Sequence, residues 1–288
     1  MSFSDTLTGR AVDIGACLMA QLDRLPDSAV RDGMAHALSG GKRLRGFLVI
    51  ESAQLFDVPP DRSVLGAAAI EALHAYSLVH DDLPCMDDDD LRRGQPTVHI
   101  KWDEATAVLV GDALQSLAFE CLTRLDLPAD RRIALVETLA RQSGADGMVL
   151  GQAQDIAAET AGRRLTLDEI TTLQANKTGA LIEWSAVAGA LMANADPAPL
   201  RAYARALGLA FQIADDILDV EGDAGKAGKR LQKDAAAGKA TFVSLLGLEP
   251  ARARAEGLVA QACDALADYG AEADPLRQAA RFVISRDN

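Results

Sequence analysis

The chain has 288 residues, 49% of them hydrophobic and 25% charged, with a formal net charge of −13 at pH 7. That composition excludes a disordered chain, and the acidic balance excludes a nucleic-acid groove, which needs a continuous basic surface. The four cysteines, Cys17, Cys85, Cys121 and Cys263, form no C-x-x-C and read as free cytoplasmic thiols rather than a zinc knuckle or a disulfide framework. No basic start followed by an apolar run opens the sequence. No later stretch reaches the ~18 uncharged apolar residues of a membrane span, so a soluble, cytoplasmic protein without stable membrane association is expected.

Apolar residues recur at three- and four-residue spacing and alternating stretches are hard to find, which predicts an all-α fold. Breaks fall at 57–63, 125–132, 159–169, 194–200 and 221–239. They are short enough for one domain over 1–288. Early in the chain "SGGKRLRG" (39–46) sets Lys42, Arg43 and Arg45 behind two glycines. An apolar helix then leads into "DDLPCMDDDD" (81–90), six aspartates in ten positions, followed by Arg92 and Arg93 of "LRRGQPT". Pro84 must interrupt that helix, so Asp87 has to return toward Asp81 through a distorted turn. Further on, Thr166 and Glu169 read as a capping box opening the helix that carries "LQANKTGALIEW". In "FQIADDILD", Asp215 and Asp219 share a helical face one turn apart. The glycine- and lysine-rich stretch 221–239 reads as a mobile loop over a site.

Carboxylates crowded in this way raise one another's pKa unless they share a cation. Asp88, Asp89 and Asp90 read as a solvated acidic surface. Asp81 and Asp215 end apolar helices that should face the core, where an uncompensated acid is costly. Hard oxygen ligands sparsely placed on helices suit Mg2+, which is held by one or two carboxylates plus a substrate phosphate. Lys42, Arg43, Arg45, Arg92 and Arg93 then have a purpose, since arginine forks match phosphate oxygens and lysine supplies point charge.

The chain resembles the trans-prenyl diphosphate synthases, most closely the bacterial farnesyl diphosphate synthases. The resemblance spans nearly the whole length and rests on "GGKRLRG", "HAYSLVHDDLPCMDDDDLRRGQPTVH", "GDALQSLAFE", "GQAQDIAAE", "KTGALIEWS", "FQIADDILDV" and "GKATF", in that order. It implies a bundle of about ten helices of the isoprenoid synthase type around a deep central apolar cavity, with the two aspartate motifs facing across its mouth, and a homodimer. It implies the Mg2+-dependent condensation of isopentenyl diphosphate with the allylic dimethylallyl and geranyl diphosphates. Farnesyl diphosphate is the expected product, with geranyl or longer prenyl diphosphates as the alternative.

Carried over by position, the resemblance assigns Asp81, Asp87 and Asp215 to metal, and Asp82 and Asp219 to orienting waters or ligands. Arg92, Lys177 and Lys229 would bind the allylic diphosphate, with Thr178 and Gln212 beside the reacting carbons. Lys42, Arg45, His74 and Arg93 would bind isopentenyl diphosphate, and Lys239 would make a loop-closing contact. Ser77, one turn before Asp81, would flank the growing tail. Tyr76, with Pro84 and Cys85 as the inserted pair, would stop growth near fifteen carbons. Departures from the family are Gly46, where proline is usual, Trp102 and the Lys233-Asp234 pair. Three other readings compete: an HD-type phosphohydrolase built on His80-Asp81, a class I terpene cyclase, and a non-catalytic synthase-like subunit.

Overall fold

The computed structural model describes residues 2–160, 162–221 and 240–285. Fourteen α-helices are formed among the described residues: α1 (Phe3–Leu22), α2 (Ala29–Ala37), α3 (Leu44–Gln54), α4 (Pro60–Asp81), α5 (Val98–Lys101), α6 (Glu104–Thr123), α7 (Ala129–Ser143), α8 (Met148–Thr160), α9 (Leu167–Gln174), α10 (Ala180–Ala193), α11 (Ala198–Glu221), α12 (Phe242–Leu246), α13 (Leu248–Asp264) and α14 (Asp274–Ser285). Twelve of them reach eight residues, so the all-α expectation holds with slightly more helices than the ten foreseen. Each of the first four expected breaks spans a junction between two helices and runs a few residues into the next one. Most of the fifth, with Lys229, Lys233, Asp234 and Lys239, lies outside the described residues.

Local sequence explains where several helices begin. Thr166 and Glu169 form the expected capping box: Glu169 N–H donates to Thr166 Oγ1 at 3.3 Å, and Thr166 N–H to Glu169 Oε2 at 2.8 Å. Pro60 opens α4 at a position where the missing N–H costs nothing. The only sheet among the described residues is a two-residue hairpin, Leu91–Arg92 against Gln95–Pro96. Its turn residues Arg93 (φ 53°) and Gly94 (φ 74°) are both left-handed, the geometry of a tight hairpin turn. This hairpin presents two arginines directly after the acidic run.

Helices α3, α4 and α10 form the interior. Eleven of the fourteen residues of α10 are buried, so it is apolar all round, as a helix enclosed by others must be. Helix α4 packs along α6 on one side and α3 on the other. Its buried stripe carries Glu71, Ala75, Tyr76 and Val79 and delivers Asp81 at its last turn. Helix α6 differs: by length and apolarity alone it could cross a membrane, although Asp112 and Glu120 lie within it, and only 44% of its apolar window is buried inside the chain.

Candidate active site

The site begins where α4 stops. Asp82 is the C-cap, and the chain then folds back so that Asp87 N–H donates to the Asp81 carbonyl at 2.8 Å. The return of Asp87 to Asp81 required by Pro84 is therefore made through the backbone. Burial pushes the Asp81 carboxyl up to about 6; Lys177 opposes this and Asp87 adds to it. An acid held in this state gains from any cation brought to it.

Asp82 has a side-chain partner within the motif. It is almost fully buried, and Arg92 donates to its Oδ1 from Nε at 3.0 Å and again from Nη2. Asp89 stands 3.6 Å from the same guanidinium, so of the three acids read as solvated surface only Asp88 and Asp90 are exposed. Burial works against the charge on Arg92, but Asp82 and Asp89 outweigh it and its pKa rises. Asp82 is thus the holder of Arg92.

A second group of cations gathers on the neighbouring face. Arg45 Nη1 lies 3.3 Å from His74 Nε2. Arginine can only donate, so Nε2 accepts and the ring is neutral. Burial, then Arg45, Arg93 and Arg92, hold the His74 pKa well below its ordinary value. Arg45 Nε is buried with no hydrogen-bond partner, which leaves one donor of this guanidinium unused. Arg93 donates to the Ser39 carbonyl at 3.1 Å, and a side chain on Gly41 would come within 2.8 Å of its guanidinium carbon. The "GG" loop is therefore the cradle of Arg93. Arg43 points elsewhere, donating to the Leu38 carbonyl at 2.8 Å. Lys42 sits 5.4 Å over the Phe282 ring of α14.

The second acidic motif reaches this group. Asp215, in the last two turns of α11, acts on Arg45 as an opposing charge, as does Glu71. Asp216 turns away and accepts from Phe242 N–H at 2.6 Å, capping the approach to α12. Gln212 donates to Gln174 Oε1 at 2.7 Å. Gln174 directly precedes a π-turn, Ala175–Gly179, that carries Lys177 and Thr178. Each acidic motif therefore works against its own cations, Asp81 with Lys177 and Arg92, Asp215 with Arg45.

Among the described residues, no three acidic, histidine or cysteine side chains close into a metal cage. Open carboxylates beside cations fit an ion that keeps waters and completes its shell with substrate phosphate, which is how magnesium binds.

Sequence reasoning missed two acids. Glu71 is buried, accepts the Gly46 N–H at 2.8 Å, and is the leading opposing charge on Arg45 and Arg93. Proline at position 46 would have no N–H to give it, so the Gly46 departure carries a bond. Asp155 pairs with Lys177 at 2.7 Å. The spacing of Glu71 to His74 and Asp81 on one helical stripe was a usable signal. The HD-hydrolase reading fails on geometry: His80 Nε2 is 3.1 Å from the Val108 carbonyl of α6, which makes it a packing contact.

The polyprenyl synthetase family model matches residues 27–270. Farnesyl diphosphate synthase of Escherichia coli is 48% identical over 262 residues, covering 87% of each chain. Farnesyl diphosphate synthase of Haemophilus influenzae is 41% identical, covering 99% of this chain and 98% of that one. The apo crystal structure of an FPP/GFPP synthase from Zymomonas mobilis superposes with a TM-score of 0.90 at 46% identity over 98% of both chains. The chain belongs to the polyprenyl synthetase family.

Proposed function

We propose that this chain is a farnesyl diphosphate synthase, a prenyltransferase that joins isopentenyl diphosphate to dimethylallyl and then geranyl diphosphate, with residues 1–288 acting as one domain. The observation that carries the reading is the double set of phosphate-binding groups: Lys177 and Arg92 act on Asp81, while Arg45, which Asp215 and Glu71 oppose, stands with the neutral His74 at 3.3 Å and with Arg93 as a second set. One diphosphate would need one such set; a condensation of two diphosphates needs both. A terpene cyclase has no use for the second, and a non-catalytic subunit has no use for either acidic motif.

In this reading Arg92 and Lys177 take the allylic diphosphate, joined by Lys229, while Lys42, Arg45, His74 and Arg93 anchor the second substrate. Asp81, Asp87 and Asp215 hold magnesium, which supplies positive charge to the leaving diphosphate oxygens when bound. Arg92, fixed by Asp82, meets that anion without reorganising, and preorganised donors of this kind stabilise developing charge most effectively. Thr178 and Gln212 offer oxygen dipoles to the allylic cation. The allylic cation must be kept from water, which would quench it. The released diphosphate, still held by the arginines, takes the final proton. Tyr76 and Ser77 line the path of the tail and set its length, and the tail itself occupies the apolar centre of the bundle.

We read the protein as a cytoplasmic homodimer. Half-covered α6, with exposed Val108 and Leu109, supports a second copy as its cover.

The test is incubation of purified protein with isopentenyl, dimethylallyl and geranyl diphosphates and magnesium, followed by phosphatase treatment and measurement of product carbon number. A fifteen-carbon alcohol is expected. A ten-carbon end product, or none, overturns the assignment. A twenty-five-carbon product is the second outcome to look for, favoured by the likeness to the Zymomonas mobilis enzyme.

A further inference from the structure

Helix α8 closes on the π-turn from the side through three separate contacts. Lys177 Nζ donates to Asp155 Oδ2 at 2.7 Å. One residue before each partner, Asn176 Nδ2 donates to Gln154 Oε1 at 3.1 Å. A turn earlier on α8, Gly151 lies against the Lys177 backbone so closely that a β-carbon there would stand 2.1 Å from its nitrogen and 2.4 Å from its Cα. No side chain fits between them. The ion pair is mostly covered, with side-chain exposures of 27% for Lys177 and 15% for Asp155.

The same lysine is also the strongest opposing charge on Asp81, while its hydrogen bond goes to Asp155. Lysine is a point charge on a flexible stem, and nothing in its own geometry decides between two acids. Fixing the turn and giving the ammonium a partner on α8 does decide it.

We infer that Asp155 is a positioning residue for Lys177, holding its ammonium over the allylic diphosphate subsite and away from Asp81. The inference rests on the reading of Lys177 as an allylic diphosphate ligand. One of the three ammonium donors goes to Asp155 and two stay free for phosphate oxygens. Without the charge on Asp155, attraction to Asp81 draws the ammonium onto that acid. Lys177 then both leaves the diphosphate subsite and competes for the acid with a divalent cation.

The experiment compares Asp155→Asn, Asp155→Glu, Lys177→Met and the double variant Asp155→Asn/Lys177→Met. Calorimetry gives Kd for a non-ionising thiolo analogue of geranyl diphosphate over a range of magnesium concentrations, and Kd for isopentenyl diphosphate. Asp155→Asn is expected to weaken the analogue about tenfold, the scale of one charge-assisted hydrogen bond. It should raise the magnesium concentration for half-maximal analogue binding and leave isopentenyl diphosphate within about twofold. Asp155→Glu restores most of the affinity, and adding Asp155→Asn to Lys177→Met changes nothing further.

Equal weakening of both ligands with a lowered Tm would mean a general folding role and overturn the inference. So would a further tenfold loss on the Lys177→Met background, because Asp155 would then act by itself. Unchanged analogue binding in Lys177→Met removes the reading of Lys177, and the inference falls with it. Weakened binding in Lys177→Met beside unchanged binding in Asp155→Asn removes the inference alone.

Discussion

Asp82 and Arg92 are joined before any substrate arrives: two nitrogens of the guanidinium, Nε at 3.0 Å and Nη2, donate to the one buried oxygen Oδ1. The arginine is thus aimed by an acid from the first acidic motif itself. Replacing Asp82 with Asn keeps the volume and removes the charge. Loss of a hydrogen bond to a charged group costs about 1.5–3 kcal/mol, so a comparable drop in unfolding free energy is expected. Steady-state kinetics should show KM for geranyl diphosphate raised about tenfold with KM for isopentenyl diphosphate unchanged, the split expected when one of two anion sites is disturbed. Equal shifts in both KM values would contradict this division of labour.

Asp81 and His74 give the protein opposed pH dependences. Burial lifts the Asp81 pKa from 3.8 to about 6. Between those values the folded protein keeps a proton that the unfolded chain has released, so the contribution of Asp81 to stability is full below about pH 4 and is lost as pH rises toward 6. In chelator, Asp81→Asn should therefore stabilise the protein at pH 8 by on the order of 1–3 kcal/mol and have little effect near pH 4, while turnover is abolished. For His74 the sign reverses: its pKa is depressed, so stability is lost as pH falls through the ordinary imidazole value of 6.5. Thermal melts across pH of the parent and Asp81→Asn proteins check both. Identical Tm values at pH 8 would refute the buried-charge account of Asp81.

How much of this was legible in the sequence depends on the distance over which each feature acts. The all-α class, four breaks, the Thr166–Glu169 box and the return of Asp87 follow from spacing and local backbone rules, and the structure repeats them. The partners of Asp82, Glu71 and Asp155 do not. The resemblance assigns Asp82 a part in orienting waters or ligands but not its partner: neighbours on a helix face different ways, and the hairpin at 91–96 brings Arg92 onto it. Asp155 sits one turn after Gly151 on α8, but its lysine comes 22 residues later, after another helix. Such pairs are set by packing between helices, which a helical period cannot encode.

Tyr76 offers a cleaner separation of packing from product control. Its ring is buried edge-on to His80, with centroids 5.6 Å apart. Tyr76→Ala should cost about 3–5 kcal/mol, as for other large buried aromatics, and release room for further five-carbon additions beyond farnesyl diphosphate. Tyr76→Phe keeps the ring and should alter stability by no more than about 1 kcal/mol, with the product unchanged. Mass analysis of the dephosphorylated products distinguishes them. If both variants end at the same carbon number, the ring is core filling and does not set length.

Helix α6 is apolar enough for a membrane, yet α4 covers only part of it. Val108 and Leu109 remain 43% and 54% exposed, and on α8 Val149 and Ile156 are 47% and 44% exposed. Exposed apolar groups on long helices cost free energy in water at about 25 cal/mol per Å², which a second copy laid against them recovers. Leu109→Glu should barely alter the fold of one chain, since exposed positions seldom matter by more than about 0.5 kcal/mol. It should shift sedimentation from a dimer to a single chain of 30.4 kDa. Liposome flotation separates the remaining possibility: a parent protein that floats with lipid, and a variant that does not, would assign this face to a bilayer. A dimer that survives Leu109→Glu would place the seam elsewhere.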